Sequence, residues 1–520
     1  MGKQQTTASP FHKRSATVLG CAALLSLLAG KTWAQTGDAV AVPGGTRPTV
    51  WVEPSISVGA TLSSNGNASS SDARSEFLFD VTPSIRAVLN TPKVRGFVDY
   101  SLSAQYYLQG NSDNRLSNRL NANGTVEVWD QRAFVDLSGT ISDESVSAFG
   151  PQSLTTLSDT NRSETSTFRV SPYISGNLGG FADYQLRYAL QTLNTDTSSR
   201  SDSTSQVISG RLGSRPSGQL LGWYLDAFSQ ETDYTLGRDT RSDTVRAGLI
   251  VLVSPQLNVT LTAGVETNDT ISLQRESYNI TGLAFDWRPS ERTSVSASVE
   301  DRYFGTGYNV AMEHRTGRTI WRYVASRSAS DSSQAGSISR GSIYDLFDAS
   351  LQALQPDPIL RAQLVQAELL RLGLPADAQI FQNFLSSSAT LDETQQLSVA
   401  LSGIRSVVTF NVTRGSTSRL DSFSTLGDDF DSNNEIDQQS WGVNYAHRLT
   451  PVTSFNAAFL NQKSVGDSGD SSKRQTISFG LSTRLAARTN GSVQVQWGRF
   501  NNTAGSYSDA AISGRINHRF

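Results

Sequence analysis

Opposite charges recur at alternate positions along neighbouring stretches of this chain. Glu300 and Arg302 end a run in which Val295, Ala297 and Val299 alternate with Ser296 and Ser298. Glu313 and Arg315 follow Tyr308, Val310 and Met312, and Arg322 lies on a third stretch. Side chains two residues apart share one face of a β-strand, so these five charges gather on one side of a sheet. Carboxylates and guanidiniums that face each other across adjacent strands can pair. Two roles fit such a set: a salt-bridge lattice that stiffens a wall, or a charged lining that orients a passing sugar or anionic polymer.

Other constellations give no catalytic arrangement. The four histidines, His12, His314, His447 and His518, are far apart in sequence. The single cysteine, Cys21, lies in the apolar N-terminal stretch, so the mature chain offers no thiolate for a metal or a nucleophile. No Gly-x-Ser-x-Gly elbow or phosphate-cradling glycine loop is present. Asp428, Asp429, Asp431 and Glu435 lack the glycine-centred spacing of a calcium loop and read as a solvated loop. The expectation is a protein that is not an enzyme and carries no cofactor.

The elements that hold the charges are strands. Val98, Tyr100, Leu102, Ala104 and Tyr106 oppose Asp99, Ser101, Ser103 and Gln105; Val259, Leu261, Ala263 and Val265 oppose Thr260, Thr262 and Glu266. Short connections fall at about 90–94, 128–131, 178–182, 214–220, 254–256, 288–292, 316–319, 403–406, 449–453 and 486–491, several holding a proline. Longer polar connections alternate with them, for example 63–75, 143–164 and 415–438. Short periplasmic turns alternating with longer external loops describe a transmembrane antiparallel β-barrel. The count is 22 strands, or 20 or 18 if weak segments such as 118–128 and 205–213 are not strands. Pro54, Pro83 and Pro172, inside strand-like runs, are expected at bulges or rim positions.

The two ends of the chain agree. Lys13 and Arg14 precede an apolar run from Val18 to Leu28 and small residues up to Ala34, so 1–34 reads as a signal peptide. Residues 35–49 then form a short periplasmic segment and 50–520 the barrel. Removing four basic residues takes 44 against 47 charges to 40 against 47, or −7. Only Lys93, Lys463 and Lys473 remain as lysines, which leaves no basic patch for nucleic acid. At the other end Ile512, Ile516, His518 and Phe520 form one face of a last strand that closes on an aromatic residue, the expected barrel-assembly signal. The expected location is the outer membrane, with lipid and the barrel-insertion machinery as partners.

One stretch breaks the alternation. Between 340 and 390, Leu360, Leu364 and Leu369 recur at helical spacing and Phe381 and Phe384 follow, so a helical insertion is expected on the external side. It reads as a rim cap, a lid over a pore, or a docking surface.

The phrases Glu300-Asp301-Arg302-Tyr303-Phe304-Gly305-Thr306-Gly307-Tyr308, Glu313-His314-Arg315-Thr316-Gly317-Arg318-Thr319-Ile320-Trp321 and Val170-Ser171-Pro172-Tyr173-Ile174 carry a family resemblance. Together with the insertion and the last strand, they make the chain resemble the outer-membrane β-barrels associated with PEP-CTERM/exosortase systems, which accompany exopolysaccharide loci in Gram-negative bacteria. That resemblance implies passage of exopolysaccharide or another polar solute, with polysaccharide or periplasmic export components as partners. The alternatives are a non-conducting structural or docking barrel and a nutrient-uptake porin. A gated nutrient receptor is expected to carry a folded plug of over a hundred residues before its first strand, where this sequence places about fifteen.

Overall fold

The computed structural model describes residues 50–109, 114–154, 161–197, 200–214, 220–330, 361, 365, 384–421, 428–503 and 505–520. The first strands are β1 (Val50–Ser63), β2 (Glu76–Asn90), β3 (Val94–Gln109), β4 (Arg115–Trp129), β5 (Ala133–Ser145) and β6 (Arg162–Leu178). Next come β7 (Ala182–Thr195), β8 (Ser203–Gly213), β9 (Leu221–Tyr234), β10 (Thr240–Ser254), β11 (Leu257–Asn268) and β12 (Glu276–Ser290). They continue as β13 (Thr293–Arg302), β14 (Gly305–Arg315), β15 (Thr319–Ser330), β16 (Thr390–Ser402) and β17 (Ser406–Arg419). The series ends with β18 (Glu435–Arg448), β19 (Thr453–Gly466), β20 (Ser471–Ala486), β21 (Thr489–Asn502) and β22 (Gly505–Arg519).

Each strand pairs antiparallel with the next, and β1 pairs with β22, so the 22-stranded sheet closes on itself. Closure leaves no strand edge exposed, which is the condition for a sheet to stand in lipid. All ten short turns fall between the strands expected from their prolines and polar residues. With β1 rising from the periplasmic end, odd strands run outward and even strands return.

The period of two sorts the faces. Leu261, Val265, Leu283, Val299, Met312, Trp321, Trp441, Val493, Val495, Trp497, Ile512 and Ile516 stand on the outer surface with 42–53% of their area exposed. In a soluble protein an apolar belt of that extent would be a liability. Here it faces hydrocarbon, and the chain is an outer-membrane β-barrel.

Two expectations need correction. Among the described residues there is no helix of seven residues or more, so the expected helical insertion is not borne out there; most of 340–390 lies outside the described residues. Where its end is described, the chain is extended: Phe384 bridges Ser145, the Leu385 N–H donates to Ser145 O at 2.9 Å, and β16 begins at Thr390. Phe384 and Leu385 follow the sheet because β5 offers them backbone partners there, and such partners override local spacing.

The prolines, too, sit at no bulge, although Pro54 does lie near the periplasmic rim, where its carbonyl accepts the Phe520 N–H. Pro54, Pro83 and Pro172 lie opposite Ile85, Ile56 and Val135 in unbroken register. The register shifts are instead at Phe77/Leu78, Glu127/Trp129, Leu252/Ser254, Trp287/Ser290 and Arg484/Ala486. A proline removes one ladder hydrogen bond, whereas a bulge needs an added residue, and these segments contain none.

Candidate functional site

The strand faces carry the predicted charges inward, and cross-strand register decides their partners. On β13, Glu300 and Arg302 point away from Val299 into the lumen. Arg302 donates from Nε and Nη2 to Oε2 of Glu266 on β11 at 2.8 and 2.5 Å, while Oε1 of that carboxylate accepts the Tyr303 N–H at 2.8 Å. Glu266 is fully buried beneath them. Glu300 lies 3.3 Å from Arg246 of β10 and 3.8 Å from Arg302. The four charges form a closed, neutral lattice. Glu313 and Arg315 pair with each other lower on β14. Arg322 lies across from Glu313 in the sheet register and has no ion pair among the described residues. The structure therefore splits the five predicted charges into two groups and adds Arg246 and Glu266 to the upper one.

A second feature has no counterpart in the sequence reading. The connection after β5 turns into the barrel instead of projecting from it. The Ala148 carbonyl accepts Ser472 Oγ at 2.8 Å, and Gln152 exchanges two hydrogen bonds with the Tyr507 hydroxyl, at 2.9 and 2.5 Å. Leu154 O accepts Gln496 Nε2 at 3.2 Å. Ser472, Gln496 and Tyr507 all lie on the inner faces of β20, β21 and β22. Gln496 is six residues below the outer end of β21, a depth of about 20 Å measured along the strand. The same wall holds a stacked Phe500–Tyr507 pair with centroids 5.0 Å apart, and the Arg474 guanidinium 5.7 Å from the Phe500 ring.

Other external connections meet this loop from the far side. Arg200, from the connection after β7, donates to Val146 O at 2.6 Å and to Leu385 O at 3.1 Å. Asp428 accepts the Ser387 N–H and the Ser386 hydroxyl, both at 2.9 Å, and Asp429 accepts the Ala148 N–H at 2.7 Å. Phe430, 1% exposed, packs with Ala148, Phe149, Phe384 and Ile436. The expectation of a solvated acidic loop holds for the exposed Asp431 and Glu435 and is corrected for Asp428, which is only 6% exposed and knots the hub together. Burial pushes the Asp429 carboxyl above the usual carboxylate range; bonds from Ser147 and Ala148 and the nearby Arg200 charge offset part of that rise, while neighbouring Asp428 adds to it. Of the expected insertion residues, Phe384 belongs to this hub, whereas Leu360, Leu364, Leu369 and Phe381 lie outside the described residues.

The histidines stand on the lipid side at the periplasmic rim, away from the lumen charges. Nδ1 of His314, His447 and His518 lies 2.9, 2.7 and 2.9 Å from the hydroxyl of Thr293, Ser406 and Thr489, each the first residue of the preceding rising strand. His447 stacks on Tyr445, and His518 meets Phe520 edge-on. Such half-polar rings suit the aromatic belt of a membrane interface. Ile512 and Ile516 lie across from Leu62 and Val58, His518 across from Ile56, and the Phe520 N–H donates to Pro54 O at 3.0 Å. Among the described residues no group of histidine, cysteine and carboxylates could hold a metal ion.

No family model matches the chain, and no curated protein does. Among solved structures, the siderophore receptor PirA from Pseudomonas aeruginosa aligns at 9% identity and TM-score 0.45, covering 91% of this chain and 81% of that one. The FrpB iron transporter (F5-1 variant) from Neisseria meningitidis aligns at 10% identity and TM-score 0.49, covering 90% and 82%. PirA from Acinetobacter baumannii gives 9%, 0.46, 90% and 80%. The resemblance to exosortase-associated barrels, and with it the exopolysaccharide context, is corrected: no family model matches the chain, and these three solved barrels are described as iron and siderophore transporters. At such identity and overlap they transfer no ligand, partner or mechanism. What the chain does rests on its own residues.

Proposed function

We propose that this barrel is an uptake porin through which small polar solutes pass the outer membrane passively. The observation that carries the reading is the loop Val146–Leu154, held within the lumen by Ser472, Gln496 and Tyr507. A segment tied across a polar lumen narrows it and sets the size of what enters, the arrangement by which a wide barrel becomes selective. The ion-paired lining gives a solute polar groups to exchange for water. A second reading, a non-conducting docking barrel, draws on the hub, where Arg200, Asp428 and Phe430 are buried as in a closed lid.

Planar-bilayer recording separates the two. The full protein should give discrete single-channel steps. Replacing Phe149–Leu154 by a short glycine-serine linker should raise the step size at least twofold. Absence of current from both proteins, with each shown to be folded by heat-modifiable migration, would leave the docking barrel.

A further inference from the structure

The inner wall of β4–β7 contains a cavity of about 230 Å³, on the periplasmic side of the inserted loop, that nothing above assigns. Asn123, Asp136, Ser138, Arg169, Ser171 and Arg187 contribute to its lining. Two of its three charges are spent on each other. Arg187 Nη1 donates to Asp136 Oδ2 and Ser171 Oγ, both at 2.7 Å, with its guanidinium 4.1 Å over the Tyr173 ring. The other face of Tyr173 is taken by Phe134, stacked at 5.0 Å, and Asp136 Oδ1 accepts the Thr125 hydroxyl at 2.8 Å.

Arg169 is different. It lies one turn of the pleat from Ser171 and across from Ser138 in the sheet register, yet it makes no ion pair or hydrogen bond among the described residues. Asn123 and Ser138 beside it are likewise without a partner there. The cavity therefore carries one uncompensated positive charge, a planar fork of donors, an amide and a hydroxyl. A guanidinium fork matches a carboxylate in a bidentate fashion. The space is below the usual 300–1,000 Å³ of sites for drug-sized ligands, so the occupant is small.

We propose that this cavity is a binding subsite for a small hydroxylated monocarboxylate, with Arg169 holding the carboxylate and Asn123 and Ser138 bonding its hydroxyl groups. This inference deepens the uptake reading and rests on it for its role in transport, although binding can be measured without transport. A single positive charge favours a monoanion; inorganic phosphate, largely dianionic at neutral pH or above, would bring an excess of negative charge.

The test uses the full protein in detergent and gluconate, glucose and inorganic phosphate as probes, read by titration calorimetry. Gluconate should bind, glucose should bind at least tenfold more weakly, and Arg169→Gln should weaken gluconate roughly tenfold, the loss expected for one charge-assisted pair. Arg322→Gln, which removes an unpaired lumen arginine elsewhere, should leave gluconate affinity unchanged. In bilayers gluconate should interrupt the current of the wild type and not of Arg169→Gln. The proposal is overturned if gluconate does not bind, if Arg169→Gln binds it as the wild type does, or if Arg322→Gln weakens it equally. Phosphate binding as tightly as gluconate would overturn the carboxylate assignment. A protein that binds gluconate through Arg169 but never conducts would keep the subsite and sink the uptake reading instead.

Discussion

On the β10–β13 wall, Arg246 and Arg302 reach Glu300 and Glu266, and these four charges balance one another. On the β5–β7 wall, Arg187 reaches Asp136 while Arg169, on the neighbouring strand and the same face, reaches nothing. Both walls are built from the same residue types on the same alternating pattern. What differs is register. Glu266 reaches Arg302 across the intervening β12, where Gly282 stands opposite Glu300 and leaves room for the charges to meet. Across from Arg169 stand Ser138 and Gln191, which carry no charge. The first wall is a strut; the second keeps a charge in reserve for something that arrives.

The contrast predicts stability effects of very different size. Glu266→Ala should be the most damaging change, because it strands the Arg302 guanidinium and the Tyr303 N–H in a buried place. Breaking a buried pair from one side costs about 3–5 kcal/mol, to be read from urea unfolding in lipid vesicles. Arg169→Gln in the same assay should stay within about 0.5 kcal/mol of wild type. Equal losses for the two would erase the distinction between strut and reserve.

A double-mutant cycle on Arg187→Gln and Asp136→Asn sharpens it further. These side chains are in direct contact and less than about a third exposed, so a coupling of about 1–2 kcal/mol is expected. A coupling near zero would mean that Asp136 is free to compensate Arg169, and the cavity would lose its net charge.

The smallest effect concerns the hub of external loops. Because burial raises the Asp429 carboxyl, the docked hub binds a proton more readily than the undocked one. Docking should therefore strengthen as pH falls through the raised value toward the ordinary carboxylate value, and change no further below that. Limited proteolysis of the external loops should be a few-fold slower at about pH 4.5 than at pH 7. Asp429→Asn should remove that difference; a pH response that survives the substitution would assign it to another group.

Much of the fold was legible because its rules are local. Pro92, Pro255 and Pro451 marked turns, and alternation around Val299 and Met312 placed Glu300, Arg302, Glu313, Arg315 and Arg322 on the inner face. The partners were not legible. Glu266 is 36 residues from Arg302, and nothing in either segment states how far one strand slides along the next. The inserted loop was missed because Val146–Leu154 has no period; its only hint was Val146, Ala148, Phe149 and Leu154 within an external connection otherwise rich in Ser and Thr. Helical spacing around Phe384 misleads, because backbone contact with Ser145 decides the conformation of Phe384 and Leu385.

Every strand in this ring pairs with its sequence neighbour except at one place. The seam between β1 and β22 joins residues more than 440 apart through nine paired positions, Ser55–Ser63 with Ala511–Arg519, where β1 and β2 share fourteen. Twenty-one hairpin contacts can form as the chain is threaded, the longest across the 59 residues between β15 and β16, at an entropic cost that grows only slowly with loop length. The seam must wait for both ends of the chain. Its closing is thus the event of highest contact order, and the Phe520 amide on Pro54 is the last rung. The same asymmetry makes the seam the natural line along which the wall parts: cutting the chain at an external loop and joining its present ends would move the break in connectivity elsewhere without changing one neighbour in the sheet.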